Sequence, residues 1–371
     1  MTNKKGKILL FILILSMVAF IGIAGVAVWN ANEAHFRQSA DQPETQQASP
    51  VPDSSPKEAI AGEANVLADK TSKTDSSKEE SPSEEIDPAE LPEENFILGN
   101  ICVDGEPGTD AVKLFLSKLS EYSGGTLSGQ DYSSYELGDS AQLLELVCNG
   151  SIEACLIKGD TLAKYDPRYA LLSLPFAFSS YQQANAVAEA SLPEWEKDGL
   201  LEENGLYRVS LWDNGFSYLT NSKRGVNVPE DIKNLTIRSR KENQSLFEEL
   251  GANTISLTFG ELMSGFRQGV VDGQENNLYV IYTNKLWESR QVYMTLTRHR
   301  WETLDLIVSK TWWDGLTSSQ QKAVQKAAED AKTYMFQEIP EKEEEILQDM
   351  EANGVQIIRE IDRDAFLSAA Q

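Results

Sequence analysis

Residues 37–95 hold seven of the chain's thirteen prolines, fifteen acidic residues against five basic ones, and no aromatic residue. A segment of that make-up cannot bury enough apolar surface to offset the entropy of ordering it. It makes residues 30–95 a disordered acidic tether and confines any folded core to the residues from 96 to 371. As a flexible coil, its 59 clearest residues reach about 40 Å root-mean-square.

What precedes the tether is equally distinct. Lys4, Lys5 and Lys7 are followed by a run from Ile8 to Val28 that is apolar apart from Ser16. As a helix, such a run spans about 30 Å, the thickness of a bilayer core. With the positive flank left in the cytoplasm, residues 1–29 are expected to be a single-pass membrane anchor that places everything else outside the cell. The competing expectation is a cleaved signal peptide, with Gly25-Val26-Ala27 as the cleavage site and a secreted or periplasmic product. The run is longer than the ~7–15 residues of a usual signal core. No cysteine lies near it, which excludes a lipoprotein anchor.

A net charge of −25 rules against nucleic acid as a partner, since phosphates need a basic surface. It also argues against electrostatic adhesion to anionic lipid. His35 and His299 are the only histidines, too few for a multi-histidine metal site. Cys102, Cys148 and Cys155 sit in apolar runs and read as buried thiols, with one disulfide plus a free thiol as the alternative.

Within the folded part, Phe96–Val103 reads as a strand and Thr109–Tyr122 as a helix capped by Thr109 or Asp110. Ala141–Cys148 is a second helix and Ile152–Ile157 a second buried strand. That alternation predicts an α/β sheet with parallel strands. Tyr207–Trp212 and Phe216–Thr220 read as strands flanking a hairpin or crossover turn at Asp213-Asn214-Gly215. Leu235–Arg238, Asn243–Leu250, Thr254–Leu257 and Phe259–Gln268 continue the alternation. Ser318–Phe336 and the run beyond Glu341 read as long exposed helices, interrupted near Pro340. Walker, G-x-G-x-x-G, G-x-S-x-G and H-E-x-x-H patterns are all missing. No carboxylate pair stands out among fifty-eight acids, so an enzyme has no positive feature here and none is expected.

Four stretches carry a family resemblance. They are Asp231-Ile-Lys-Asn-Leu-Thr-Ile-Arg238; Gly251-Ala252 through Phe259-Gly-Glu-Leu and Phe266-Arg-Gln-Gly; Gly269-Val-Val-Asp-Gly-Gln-Glu-Asn276; and Thr297-Arg-His299. Leu137-Gly-Asp139 and Leu174-Pro-Phe176 fit more loosely upstream. The chain resembles the dicarboxylate-binding type of solute receptor of tripartite ATP-independent (TRAP) transporters, over about 275 residues.

The resemblance implies a two-lobed α/β receptor of the periplasmic-binding-protein kind, with an interdomain cleft and a long connecting helix. Residues 96–214 plus 303–340 are assigned to lobe I, and 215–302 plus 341–371 to lobe II. It implies a monomer that captures a small organic acid by hinge closure and hands it to TRAP permease subunits, with no cofactor. A tethered sensory or scavenging module, serving a signalling partner through the same cleft, is the alternative. Arg238 matches the arginine that clamps the ligand carboxylate, a task suited to a planar bidentate donor. In an empty open cleft it is expected to be hydrated. On residue physics alone, Arg238 reads as structural and Asn276 as a loop cap; the resemblance makes Asn276 a ligand-binding amide. Asn214, Ser217, Phe216 and Trp212 complete the expected ligand-binding set. Trp301 is a further candidate for the cleft wall, and core packing accounts equally well for each aromatic.

Ser217 stands where the family often has an arginine in N-G-x-R, which speaks against a second ligand carboxylate. Asn277 replaces a family proline, and Lys233-Asn234 a lysine-glycine turn.

Overall fold

The computed structural model describes residues 94–370. The expected anchor and nearly all of the expected tether lie outside the described residues. Among the described residues no helix is long and apolar enough to cross a membrane.

The first α/β block is β1 (Glu94–Asn100), α1 (Pro107–Tyr122), β2 (Leu127–Tyr132), α2 (Ser140–Cys148) and β3 (Ala154–Lys158), followed by α3 (Tyr181–Glu196). Then come β4 (Leu206–Asn221), β5 (Thr236–Arg238), α4 (Gln244–Glu249), β6 (Asn253–Ile255), α5 (Phe259–Gln268), β7 (Gly273–Asn277) and α6 (Leu278–Thr283). The chain closes with β8 (Tyr293–Ser309), α7 (Lys310–Gly315), α8 (Ser318–Ala352), β9 (Gln356–Ile358) and α9 (Arg363–Ala369).

One mixed nine-stranded sheet runs through the molecule in the order β2-β1-β3-β8-β4-β7-β5-β6, with β9 added on β8. β1 pairs in parallel with β2 and β3, and β5 with β6 and β7. Each parallel block belongs to one lobe. Between them lies a long antiparallel pair, β4 and β8, which joins β3 on one side and β7 on the other. The lobe boundaries expected at 214/215, 302/303 and 340/341 fall inside β4, β8 and α8, three continuous elements. The two larger of three apolar clusters do not follow those boundaries, the first reaching Leu278 and Met294 and the second Phe176. The first is built around Leu98, Leu156, Trp212 and Leu306, and the second, smaller one around Leu219, Ile237 and Phe247.

Several local expectations need correcting. Asp213-Asn214-Gly215 is not a turn between two strands but a bulge within β4, where the register against β8 shifts between Asp213 and Phe216. Gly215 takes φ +82° and its amide donates to Asp213 Oδ1 at 2.8 Å. The same Asp-Asn-Gly chemistry serves a tight turn or a glycine bulge, and only the β8 partner decides between them. The helix predicted from Thr109 begins at Pro107, with Glu106 at the cap position. Thr109 is buried instead, its hydroxyl bonded to the Val103 carbonyl at 2.8 Å.

Pro340 does not interrupt α8, which runs 35 residues through it. Nor is the helix simply exposed. Ala327, Ala331, Met335, Ile339 and Leu347 form a buried stripe against α1 and β4. The burial of that stripe outweighs the ~3 kcal/mol disfavouring an interior proline. Glu343, just beyond Pro340, ties the helix to both sides: Arg298 Nη2 donates to it at 2.6 Å and Tyr181 Oη at 2.5 Å. All three cysteines are free, with Cys102 and Cys155 buried. Cys148 is half-buried and donates to the Asn204 carbonyl at 2.8 Å.

Candidate functional site

The motif stretches meet at the end of the β5–β7 block. Asp231 Oδ2 accepts from the amides of Asn227 and Val228 at 2.9 and 3.1 Å, closing the turn that launches β5. Asn234 supplies the left-handed turn (φ +64°) where the family has glycine, a conformation asparagine tolerates. Asp272 Oδ2 accepts from the Thr236 amide at 2.9 Å and fixes β5 beside β7. A side chain on Gly273 would collide with the Thr220 carbonyl of β4, so glycine permits the close pairing there. Asn277 caps α6, its Oδ1 accepting from Val280 N at 2.9 Å. A helix cap thus stands where the family's proline would.

Glu275 is buried and accepts from Asn243 Nδ2 at 2.9 Å and Ser239 Oγ at 3.2 Å. The Thr297-Arg-His299 stretch backs it: Thr297 Oγ1 lies 2.7 Å from His299 Nδ1, and His299 Nε2 lies 3.7 Å from Glu275 Oε2. Burial alone would raise the Glu275 pKa. His299, Arg240 and Asn243 together outweigh it and hold the carboxyl well below its ordinary range.

These elements form one wall of a cleft of about 880 Å³, in the upper part of the range usual for small-ligand sites. Arg238, Asn276 and Asn214, three of the six residues expected to bind ligand, line it. Ser217, Phe216 and Trp212 do not. Trp212 and Phe216 are core side chains, packed against Phe115 and Tyr181 with ring centres 6.4 and 4.9 Å apart. Ser217 is fully buried and donates to Glu302. Along β4, alternate residues face opposite sides of the sheet and the bulge resets that alternation, so facing is not legible from spacing alone. Trp301 is likewise buried, and its Nε1 bonds Asp213 at 3.1 Å.

Arg238 is more buried than a freely hydrated side chain. It is only 8% exposed, and its Nε donates to the Leu257 carbonyl at 3.0 Å. Among the described residues no carboxylate lies within ion-pair distance of it. Burial, reinforced by the nearby Arg240 charge and opposed by Glu275, pulls its pKa below the usual arginine value. A guanidinium stays charged under such a shift, so Arg238 brings a largely buried positive charge to the cleft wall.

Four wall residues had no counterpart in the sequence expectations: Lys158, Asp160, Arg240 and Arg300. Asp160 Oδ2 lies 3.5 Å from Arg240 Nη2 and 3.3 Å from Arg300 Nη2, while Lys158 pairs with Glu302. Burial would raise the Glu302 pKa, but Lys158 and Arg240 outweigh it and bring it down to about 2. One signal was available. Lys158 and Asp160 at the end of the buried strand β3, and Arg240 two positions beyond Arg238, are out of place unless they face a cleft.

Behind the site, Asp213 accepts from Gly215 N, Trp301 Nε1 and Asn185 Nδ2, the last at 3.3 Å. Burial pushes its pKa up to about 7, against the pull of those hydrogen bonds. A half-turn of the Asn185 amide, whose Oδ1 has no partner, lets it accept from the protonated acid. Between about pH 4 and pH 7 the native protein therefore holds a proton that the unfolded chain has lost. That stabilisation is complete below the unfolded pKa and is lost as pH rises through about 7. Ligand-free protein is expected to melt at a lower temperature at about pH 8 than at about pH 5. Asp213→Asn, an isostere of the neutral acid, should flatten that slope; an identical slope in the mutant would refute the assignment. Asp305, buried and likewise raised to about 7, should account for what slope remains.

Two α/β lobes, linked by shared strands around a cationic cleft, define an extracytoplasmic solute-binding receptor. Residues 98–371 match the family model described as bacterial extracellular solute-binding protein, family 7 (DctP), and the chain belongs to that family, the solute receptors of TRAP transporters. It is 30% identical over 261 residues to the 2,3-diketo-L-gulonate-binding periplasmic protein YiaO of Escherichia coli, covering 70% of this chain and 79% of that one. Among solved structures, a TRAP periplasmic solute-binding protein from Sulfitobacter sp. NAS-14.1 with bound β-D-galacturonate superposes with a TM-score of 0.69. It is 26% identical, over 75% of this chain and 92% of the other. A protein of the same kind from Roseobacter denitrificans with bound L-galactonate gives a TM-score of 0.67. It is also 26% identical, over 76% of this chain and 93% of the other.

Proposed function

We propose that this receptor captures a small carboxylate of the sugar-acid kind by closing its lobes, and passes it to a TRAP membrane permease. Its N-terminal apolar segment would hold it at the outer face of the membrane. Binding, not catalysis, is the task proposed for the cleft. The observation that carries the reading is Arg238: a buried, permanently charged fork with no carboxylate partner among the described residues, on the wall of a cleft that also presents the Asn214 and Asn276 amides. A bidentate carboxylate satisfies such a fork better than any neutral group. Relatives that bind diketogulonate, galacturonate and galactonate support the ligand class.

A thermal-shift screen over monocarboxylates, dicarboxylates, keto acids and sugar acids tests it. A ligand at 100 times its dissociation constant adds roughly 2.7 kcal/mol of stability, a shift of a few degrees for a domain this size. At least one acid should produce it. A shift with neutral sugars alone would overturn the carboxylate claim.

A further inference from the structure

Four cations gather around the cleft: Lys158, Arg238, Arg240 and Arg300. Two carboxylates are paired with three of them: Glu302 takes Lys158, and Asp160 lies between Arg240 and Arg300. Arg238 is the member with no ion-pair partner among the described residues. Glu106 and Asp139 elsewhere on the wall make a second ligand charge less favourable still.

Asp160 occupies a particular place in this balance. It follows β3 in the first parallel block, whereas Arg240 follows β5 in the second, so their pair spans the cleft. Gly159 is what brings it there, since a side chain at 159 would run into Thr303 Oγ1 and the Asp305 carboxylate of β8. Asp160 holds the positions on Arg240 and Arg300 that a second ligand carboxylate would need, and its own charge repels that carboxylate. An ionised carboxylate only accepts hydrogen bonds, so it is well matched to ligand hydroxyls.

We infer that the cleft selects hydroxy acids with a single carboxylate, and that Asp160 is the specificity-determining residue that excludes the second one. This rests on the carboxylate reading of Arg238. It works through a repulsive element as well as an attractive one, which is how discrimination between close analogues is commonly built.

Matched pairs of probes test it by calorimetry on the full chain: erythronate with meso-tartrate, gluconate with glucarate, and galactonate with galactarate. Wild type should bind at least one monoacid about tenfold or more tighter than its diacid partner. Asp160→Asn should weaken that monoacid and strengthen the diacid, moving their ratio by about a hundredfold. Asp160→Glu, which keeps the charge, should keep the wild-type preference. Should the asparagine variant fold poorly, Asp160→Ser must show the same reversal. Equal binding of both members of a pair by wild type, or an unmoved ratio in Asp160→Asn, overturns the inference and leaves the carboxylate reading standing. So does binding of none of the six probes while another acid succeeds in the wider screen. Failure of every acid in that screen instead removes the reading beneath it.

Discussion

Replacing Arg238 with alanine is expected to weaken binding of the cognate acid by roughly 30-fold or more. Removing one member of a desolvated charge pair typically costs about 2–5 kcal/mol, much of it because the other charge is left unpaired, and each ~1.4 kcal/mol is a decade in affinity. Arg238→Lys should recover only part of the loss, because it restores charge without the planar fork. The effect on ligand-free stability should be small. The substitution gives up one hydrogen bond, from Nε to the Leu257 carbonyl, worth about 1 kcal/mol. It also removes a cation that burial and Arg240 both disfavour. Calorimetry with the acid found by screening, alongside melting of the empty protein, separates the two effects. Undiminished affinity in Arg238→Ala would refute the site assignment.

Glu302→Ala should be the most destabilising change among the site residues, by about 3–5 kcal/mol. Glu302 is nearly inaccessible and receives both Lys158 and the Ser217 hydroxyl. Without it, Lys158 is a poorly hydrated charge with no counter-ion and Ser217 a fully buried hydroxyl with no acceptor. Adding Lys158→Met should restore most of the loss, because a buried ion pair replaced by apolar groups is often neutral, whereas a broken one is not. Its pKa adds a signature. A carboxyl held down to about 2 contributes stability that is present above its unfolded value of 4.5 and is lost as pH falls through the folded one. The wild-type advantage over Glu302→Ala should therefore shrink between about pH 4.5 and pH 2. Denaturant melts of the two single mutants and the double mutant measure this. A Glu302→Ala penalty below about 1 kcal/mol would show that the carboxylate is hydrated.

Serine at 217 also acquires a meaning here. Read beside the family motif, it looked like the loss of a ligand-binding cation. In the fold it lies beneath the cleft, supporting the carboxylate that neutralises Lys158. Its link to the cleft is indirect, through Glu302.

How much was legible differs by level. Elements made of contiguous residues read well: α2 and α5 lie within a residue of their expected bounds, because their apolar spacing and the caps at Asp139 and Thr258 are local signals. β8, at 17 residues the longest strand, passed unread apart from its Thr297-Arg-His299 motif, since a strand buried on both faces shows no alternation. The short motifs placed Arg238 and Asn276 because a backbone turn fixes each within a few residues.

The sequence by itself determined where a core can form, that its elements alternate as an α/β sheet, and that Arg238 ends a strand. Those are matters of composition and near-neighbour spacing. The tertiary structure alone decided that Asp-Asn-Gly is a bulge and not a turn, that α8 passes through Pro340, and which aromatics are core. It also decided that Lys158, Asp160, Arg240 and Arg300 share one cleft. Residues 158 and 300 are brought together by β3 pairing with β8, a contact whose free energy comes from burying the sheet between layers of helix. No local pattern encodes which distant charges that burial will bring face to face.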